Sequence, residues 1–244
     1  MDISQISAHL SQHHYWHGRH FRELIHIEAD EEQSFRAYWS NLVRDEAFKE
    51  YTHRERRILR YRLLPCGQLQ MDRNAEYKSS VVYPINYRQG VNALTYSEDG
   101  FIAHPIMQQL LATDIAALGA ALAGHSYAID IHQFRVRTDS ETSSPTTSGI
   151  HQDGLDWVFM HFIDACNTVP VVSDIYATQE ADSCLLSVPM ERFLETIVLD
   201  DNVLYHRAGD VQQMARQQPA WRDLLLVGFR RLANDAEETA HAEG

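Results

Sequence analysis

Cysteine and basic residues are scarce in this chain of 244 residues. The three cysteines, Cys66, Cys166 and Cys184, are odd in number and have no CxxC spacing, which argues against a disulfide framework and indicates reduced thiols in a cytoplasmic protein. Lysine and arginine total 21 against 34 aspartates and glutamates, which gives a formal net charge of −13. This acidic balance argues against nucleic-acid binding, because that binding depends on a basic face.

Long apolar stretches are also missing. No run approaches the roughly 18 apolar residues that span a bilayer, and residues 1–20 lack the basic start and apolar core of a secretory signal. We therefore expect no membrane partner. No internal repeat or Pro/Gly/Ser-rich linker divides the chain, so we expect a single domain over residues 1–232. The acidic, alanine-rich tail 233–244 is expected to be disordered.

The first half of the chain shows helical spacing of its apolar residues. The segment 31–50 predicts an amphipathic helix, and the stripe in 104–123 predicts a second one. Pro105 lies at the start of this second segment and Gly124 follows its end, as is typical of helix boundaries. The part from 1 to about 124 is therefore expected to be mainly helical and to cover a sheet.

The second half, about residues 125–232, changes to short β-rich runs separated by turn residues. Many short strands separated in this way are typical of an antiparallel sandwich or barrel. The sequence therefore predicts an α+β fold with a double-sheet core and helices outside it. The expected strands are 127–136, 155–163, 171–177, 184–188, 196–199, 203–205 and 224–229.

His151 and Asp153 have the clearest chemical implication. On a strand, residues two apart point to the same face, and Gly154 lets the backbone approach a ligand closely. With the distant His206 they supply two imidazoles and one carboxylate, the set that leaves open positions on the metal of non-haem Fe(II) oxygenases. The spacing alone leaves a second interpretation open, because a chain with 14 histidines contains such pairs by chance. In that case His151 caps a loop, Asp153 belongs to a turn and His206 is an exposed histidine at the end of a strand.

The segment Ser144–Gly154, with the sequence SPTTSGIHQDG, resembles the signature of a bacterial group of Fe(II)/2-oxoglutarate-dependent dioxygenases. Members of this group, the L-isoleucine 4-hydroxylase type, hydroxylate free aliphatic amino acids. Asn167, the segment 200–206 and the segment 221–227 also fit, so the resemblance covers about residues 125–232. The group usually has Arg-x-Asn followed by two glycines, but here 164–171 lacks these glycines, which changes a loop near the pocket.

The resemblance implies a double-stranded β-helix, or jelly-roll, core and a complete catalytic chemistry. Fe(II) would be bound by His151, Asp153 and His206, and 2-oxoglutarate and O2 would be consumed with release of succinate and CO2. The family places an arginine for the distal carboxylate of 2-oxoglutarate at Arg222, and a guanidinium suits this role because its planar fork binds carboxylates bidentately. The competing arginines are Arg207, Arg216, Arg230 and Arg231, and the alternative for Arg222 is a surface pair with Asp223.

The substrate contacts are predicted from strand phase. Continuing the alternation of His151 and Asp153 places the following residues on the same interior face: Leu155, Trp157, Phe159, His161 and Ile163. Trp157 is thus a candidate substrate contact, with core packing as the alternative. On the strand that begins at Tyr127, Gln133 and Arg135 share a face that changes from apolar to polar, where Arg135 is expected to bind a substrate carboxylate. Tyr83 is a candidate for the pocket edge.

These observations favour an Fe(II)- and 2-oxoglutarate-dependent dioxygenase that hydroxylates a small substrate, a free L-amino acid such as isoleucine, leucine or methionine. Two alternatives stay open. One is a metal enzyme on the same β-barrel scaffold that works without 2-oxoglutarate, and the other is a non-catalytic small-molecule-binding protein.

Overall fold

The structure is a computed structural model that describes residues 2–28, 30–46, 52–73, 76–77, 92–138, 142–143 and 149–233. The α-helices in these ranges are α1 (Ile3–His13), α2 (Glu31–Ala37), α3 (Asp99–Ile102) and α4 (Pro105–Leu118). Short 3-10 turns lie at Phe21–Leu24, Gly119–Leu122 and Ala181–Ser183. Tyr83 and most of the predicted tail lie outside the described residues.

The strands fall into two sets along the chain. The first set is β1 (Tyr15–Gly18), β2 (Val43–Arg44), β3 (Arg54–Leu63), β4 (Leu69–Asp72), β5 (Glu76–Tyr77) and β6 (Asn92–Ala93). The second set is β7 (Tyr127–Thr138), β8 (Thr142–Ser143), β9 (Trp157–Cys166), β10 (Val172–Tyr176), β11 (Cys184–Pro189), β12 (Thr196–Asp200), β13 (Tyr205–Ala208), β14 (Val211–Gln212) and β15 (Ala220–Arg231).

Two antiparallel sheets form the core of the fold. The major sheet has the order β1-β12-β9-β15-β7-β3-β2, with β4 also paired to β3. The minor sheet has the order β11-β10-β13, and β14 pairs with β8. This architecture confirms the predicted α+β fold with a double-stranded β-helix core, and each strand predicted between 127 and 229 overlaps an observed one.

Alternation along the central strand β15 divides the major sheet into two faces. Leu225, Val227 and Phe229 are fully buried in the cluster that includes the residues of the helices. Leu224 instead belongs to the cluster that joins the major sheet to the minor sheet. We call these the outer and the inner face of the major sheet, and any functional pocket inside the jelly roll must be lined by the inner face.

Helix α4 packs on the outer face. His104 caps the N-terminus of the helix by accepting a hydrogen bond from the amide of Ile106, and Pro105 is the first residue of the first turn. Gly119 ends the helix with a φ of 42°. The expectation that no apolar run reaches membrane-spanning length was wrong here, because Pro105–Leu122 is long and apolar enough by length and composition. Half of this window is buried inside the protein, so the apolar character is that of a core helix.

The N-terminal half is less helical than expected. The helix predicted over 31–50 is observed as the shorter α2, and β3 is a ten-residue strand of the major sheet. Its inner-facing positions Arg54 and Arg56 are buried against the carboxylate of Asp45. Because ion pairs replace apolar side chains on this face, the strand lacks the apolar signal on which the prediction depended.

We predict that Leu225→Ala lowers the free energy of unfolding by about 2–5 kcal/mol, since it opens a cavity at the centre of the outer face. Leu185→Ala is the matched control, because Leu185 is 46% exposed, and its effect should stay within about 0.5 kcal/mol. Urea unfolding followed by circular dichroism measures both. Equal effects of the two changes would contradict the assigned core.

Candidate active site

His151 and His206 are joined by their backbones. The amide of each donates to the carbonyl of the other in an antiparallel bridge. The distance from nitrogen to oxygen is 3.0 Å for the bond donated by His151 and 2.9 Å for the bond donated by His206. His206 lies in β13 of the minor sheet, whereas His151 follows the left-handed Gly149. This bridge places the two rings side by side, with centroids 4.4 Å apart.

Asp153 completes the group. Its carboxylate lies 3.5 Å from Nε2 of His151 and 3.4 Å from Nε2 of His206. One ligand atom from each residue lies within 4.8 Å of the others. Nδ1 of His151 donates to the carbonyl of Gly149 at 2.9 Å, which directs Nε2 towards the carboxylate. The donor set fits a divalent metal that is held on one side and open on the other.

The charges within this group are strongly coupled. Burial raises the pKa of Asp153, but the two adjacent imidazoles outweigh it and hold this pKa far below its usual value. Burial lowers the pKa of His206, whereas Asp153 and Asp201 raise it to about 10. Nδ1 of His206 lies 3.5 Å from the buried Asp201, which also accepts a hydrogen bond from the amide of Leu155. A metal that binds here must displace the proton on His206.

The strand phase changes immediately after Asp153. Gly154 has a φ of 74°, and the alternation predicted from His151 does not continue through it. Phe159 and Ile163 are buried in the outer-face cluster, Trp157 packs against the same cluster, and His161 contacts Asp114 of α4. Trp157 therefore does not share the interior with the His-Asp-His group, contrary to the sequence prediction.

Arg222 lies on the inner face and is 3% exposed. Its Nη2 donates to the hydroxyl of Ser173 at 3.0 Å, and it forms no ion pair with any residue in the described part of the chain. Burial lowers the pKa of this guanidinium to about 10, while the more distant Glu195 opposes the shift. Since a buried charge without a counterion is costly, this arginine is suited to an anionic ligand.

Arg222 is also placed towards the His-Asp-His group. In the minor sheet Ser173 pairs with Ala208, and Ile175 pairs with His206. Ser173 and Ile175 are two residues apart and face the same side, so the hydroxyl that holds Arg222 is about 7 Å along the strand from the position of His206.

A cavity of about 370 Å³ opens beside Arg222. Its floor is buried and contains Phe162, Val171 and Met190, and its rim includes the exposed Pro170 and Met214. Part of the rim comes from the segment 164–171, which departs from the family pattern. In this segment Asn167 adopts the left-handed conformation that glycine would otherwise favour, with a φ of 51°. Its side chain holds the turn by hydrogen bonds to the backbone of Ala215 and Gln218.

Gln133 and Arg135 face away from this interior. Gln133 accepts a hydrogen bond from Ser97 and donates to the carbonyl of Tyr38 on the outer face. Arg135 binds Asp223 through two hydrogen bonds of 2.6 and 2.7 Å. The structure therefore places both residues on the outer face, away from the His-Asp-His group where the substrate role was expected, because the inner face of β7 carries the intervening residues. The alternative pairing of Arg222 with Asp223 is also excluded.

Ser173 and Asp201 contribute to the site and were not predicted. Ser173 had no distinguishing pattern in the sequence. Asp201 lies in the Asp-Asp-Asn segment before His206, a signal that could have been used. Tyr83 lies outside the described residues.

Comparison with known proteins identifies the same architecture. A model of the 2OG-Fe dioxygenase family matches residues 36–228. The 3(1)-hydroxy-L-isoleucine 4-dioxygenase of Pantoea ananatis is 24% identical over 178 residues, which cover 71% of this chain and 70% of that protein.

Two solved structures share the fold over nearly the whole chain. The crystal structure of IDO from Bacillus thuringiensis has a TM-score of 0.78 at 18% identity and covers 96% of both chains. A bsmA homologue from Methylobium petroleophilum has a TM-score of 0.79 at 21% identity, covering 94% of this chain and 93% of its own.

We predict that Arg222→Met leaves the stability of the ligand-free protein unchanged or raises it, because an apolar side chain of similar volume removes an uncompensated buried charge. Arg135→Met on the outer face should lower the free energy of unfolding by roughly 2–5 kcal/mol, since it leaves Asp223 buried without its partner. Thermal unfolding of both variants tests this difference. A large loss of stability in Arg222→Met would show that this arginine is a structural element.

Proposed function

Because this chain belongs to the 2OG-Fe dioxygenase family, we propose that it hydroxylates an unactivated C–H bond of a free L-amino acid. The chain is a 2-oxoglutarate-dependent dioxygenase, and an aliphatic substrate such as isoleucine, leucine or methionine is favoured. The observation that carries the proposal is the convergence of His151, Asp153 and His206 on the inner side of the fold that also buries Arg222.

In this proposal His151, Asp153 and His206 hold Fe(II). The two Nε2 atoms and the carboxylate would supply three ligands to the metal, and such a donor set would leave coordination positions for 2-oxoglutarate and O2. When bound, the iron supplies the oxidative decarboxylation of 2-oxoglutarate to succinate and CO2 with oxygen insertion into the substrate. Gly149 and Asp201 orient the two imidazoles through their Nδ1 atoms.

Arg222 and Ser173 bind the distal carboxylate of 2-oxoglutarate in this proposal. The guanidinium offers a planar fork to a carboxylate, and Ser173 fixes one of its amino groups at 3.0 Å. Beside Arg222, the side chains of Phe162, Leu224 and Met190 belong to one buried apolar cluster. A charge pair is stronger there than in water, so the site favours a dianionic co-substrate that reaches from iron to arginine.

The amino-acid substrate is supported by one relative. The Pantoea ananatis protein is named for oxidation of an isoleucine derivative, and it is 24% identical to this chain. Small aliphatic substrates also agree with the apolar cluster between the two sheets, where Val158, Ile197 and Leu199 are buried. The protein's task is then to hold one substrate carbon near the iron and to keep water out.

We predict that the protein releases succinate only with Fe(II), 2-oxoglutarate and O2, and that one or more aliphatic L-amino acids stimulate this release and gain one oxygen atom. His151→Ala and Asp153→Ala should reduce the stimulated rate to background, because each removes a metal ligand. Succinate assay and mass spectrometry over a panel of the proteinogenic amino acids provide the measurement.

His26→Ala serves as the matched control for the loss of a histidine, since the His26 side chain is 77% exposed, and it should retain full activity. Substrate-stimulated turnover that survives in both ligand variants would rule out the proposed iron site. Turnover without 2-oxoglutarate would instead indicate another metal enzyme on the same scaffold.

Arg222→Gln is predicted to raise the KM for 2-oxoglutarate by about 30-fold or more, which corresponds to the loss of a buried charge pair of about 2 kcal/mol or more. Arg207→Gln is the control, because Arg207 pairs with Asp174 and its side chain is 45% exposed. Steady-state kinetics with varied 2-oxoglutarate measure both. An unchanged KM in Arg222→Gln would remove this residue from the co-substrate site.

A further inference from the structure

We propose that the co-substrate site continues past Arg222 and accepts 2-oxo dicarboxylic acids longer than 2-oxoglutarate. The shortest of these is 2-oxoadipate, which has one more methylene between its 2-oxo group and its distal carboxylate. The inference rests on the proposed role of Arg222 and extends it to a second class of co-substrate. Two features carry it: the position of the cavity beside Arg222 and the donors that this arginine leaves without a partner.

The cavity lies beyond Arg222 as seen from the metal ligands. On β10, Ile175 pairs with His206. Ser173 comes two residues earlier and binds Arg222, and Val171 comes two residues before Ser173 and lines the cavity. Positions two apart on a strand are separated by about 7 Å, so the metal ligand, the arginine and the cavity follow one another in this order. None of the three metal ligands is among the residues that line the cavity.

The space beyond Arg222 is large compared with one added methylene. The cavity of about 370 Å³ falls within the roughly 300–1,000 Å³ of pockets that bind small ligands. Its buried wall includes the apolar side chains of Val171 and Met190. Methionine is unbranched and adapts its shape to a neighbour. A longer aliphatic chain is therefore accommodated by apolar side chains on this side of the arginine.

Arg222 has donors left for a carboxylate in a shifted position. Among the described residues its hydrogen-bond partner is the hydroxyl of Ser173 at 3.0 Å, and its Nε is buried without a partner. A guanidinium carries five N–H donors. The hydroxyl of Ser173 donates in turn to Sδ of Met190 at 3.7 Å, and sulfur is a weak acceptor that a carboxylate can replace. A carboxylate that lies one methylene further from the metal ligands thus meets the same two groups.

The other charges around the cavity are already engaged or exposed. Arg36 binds Asp164 at 2.9 Å, and Glu191 is exposed at the rim. Glu195, the more distant carboxylate that acts on Arg222, accepts hydrogen bonds from the two backbone amides at positions 191 and 192. Among the residues that line the cavity, Arg222 is therefore the buried cation without a carboxylate partner, which favours a second carboxylate over a neutral chain end.

The reaction stays balanced with the longer acid. The C1–C2 bond of 2-oxoadipate breaks and C1 leaves as CO2. C2 takes one oxygen atom of O2 and becomes a carboxylate, and the other oxygen atom enters the C–H bond of the substrate. The products are glutarate, CO2 and the hydroxylated substrate. The added methylene lies between C2 and the distal carboxylate, away from every bond that forms or breaks.

Anaerobic calorimetry of the Fe(II)-loaded protein tests the inference without a hydroxylation substrate. The ligands are 2-oxoglutarate, 2-oxoadipate and 2-oxohexanoate, which has the chain length of 2-oxoadipate but no distal carboxylate. The Kd of 2-oxoadipate should lie within about tenfold of that of 2-oxoglutarate, the lower end of the discrimination that one methylene causes in a fitted pocket. The Kd of 2-oxohexanoate should exceed that of 2-oxoadipate about tenfold or more, because it leaves Arg222 without a counterion.

Val171→Phe places a larger side chain in the cavity. It should raise the ratio of the Kd of 2-oxoadipate to that of 2-oxoglutarate about tenfold or more. Val43→Phe is the matched control, because it makes the same change at a residue of β2 that is 41% exposed and outside the cavity, and it should leave the ratio unchanged. If Val171→Phe does not fold, Thr168→Phe narrows the half-buried rim of the same cavity and should raise the ratio in the same direction.

Under O2, 2-oxoadipate should yield glutarate, detected by mass spectrometry in the assay that measures succinate from 2-oxoglutarate. Binding of 2-oxoadipate without glutarate would identify an inhibitor and overturn the inference.

Three results of the calorimetry also overturn the inference while 2-oxoglutarate still binds, so that the proposed function stands. They are a wild-type ratio above about tenfold, an unchanged ratio in the cavity variant, and equal changes in Val171→Phe and Val43→Phe. If 2-oxoglutarate itself does not bind, or if Arg222→Gln leaves the affinity for both diacids unchanged, the co-substrate role of Arg222 fails together with the inference.

Discussion

The antiparallel bridge between His151 and His206 is the interaction on which the site depends. Two backbone hydrogen bonds of 3.0 and 2.9 Å connect the segment before β9 to β13 of the minor sheet. Backbone bonds hold the two imidazoles at a fixed spacing whatever their side chains bind, so the metal does not have to order two distant segments. Asp153 follows His151 by two residues and its carboxylate lies between the rings, after which the left-handed Gly154 turns the chain towards β9.

The outer face of the major sheet contributes mainly to stability, and the inner face carries groups of the candidate site. On the outer face, polar groups find partners inside the protein, as Arg135 does with Asp223 and His161 does with Asp114 and Thr196. On the inner face Arg54 and Arg56 also have a carboxylate partner in Asp45, but Arg222 is held only by a serine hydroxyl among the described residues. Buried polar groups are normally satisfied, and a group that lacks a charged partner inside a pocket indicates a ligand.

Sequence patterns predicted the double-sheet core and the pair of His151 and Asp153, because strand alternation and a spacing of two residues are local features. The distant His206 was added from the donor set of non-haem iron sites and from the family resemblance. They failed where tertiary contacts override the local signal. The inner arginines of β3 are paired with Asp45, so this face of the strand lacks the apolar residues from which a strand is predicted. The positive φ of Gly154 interrupts the strand alternation from which Trp157 was predicted to face the interior. Ser173 gained its role only from a cross-sheet contact with Arg222.

The phase of β7 determines which groups can meet a substrate. A shift of one residue exchanges the faces of a strand, so Gln133 and Arg135 cannot share the interior with Asp130 and His132. The first pair lies under α2 and beside β15, whereas Asp130 lies beside the segment that carries Asp153. The phase of β7 therefore directs the face of Asp130 and His132 towards the side of the fold that carries Asp153, and the face of Gln133 and Arg135 towards α2 and Asp223.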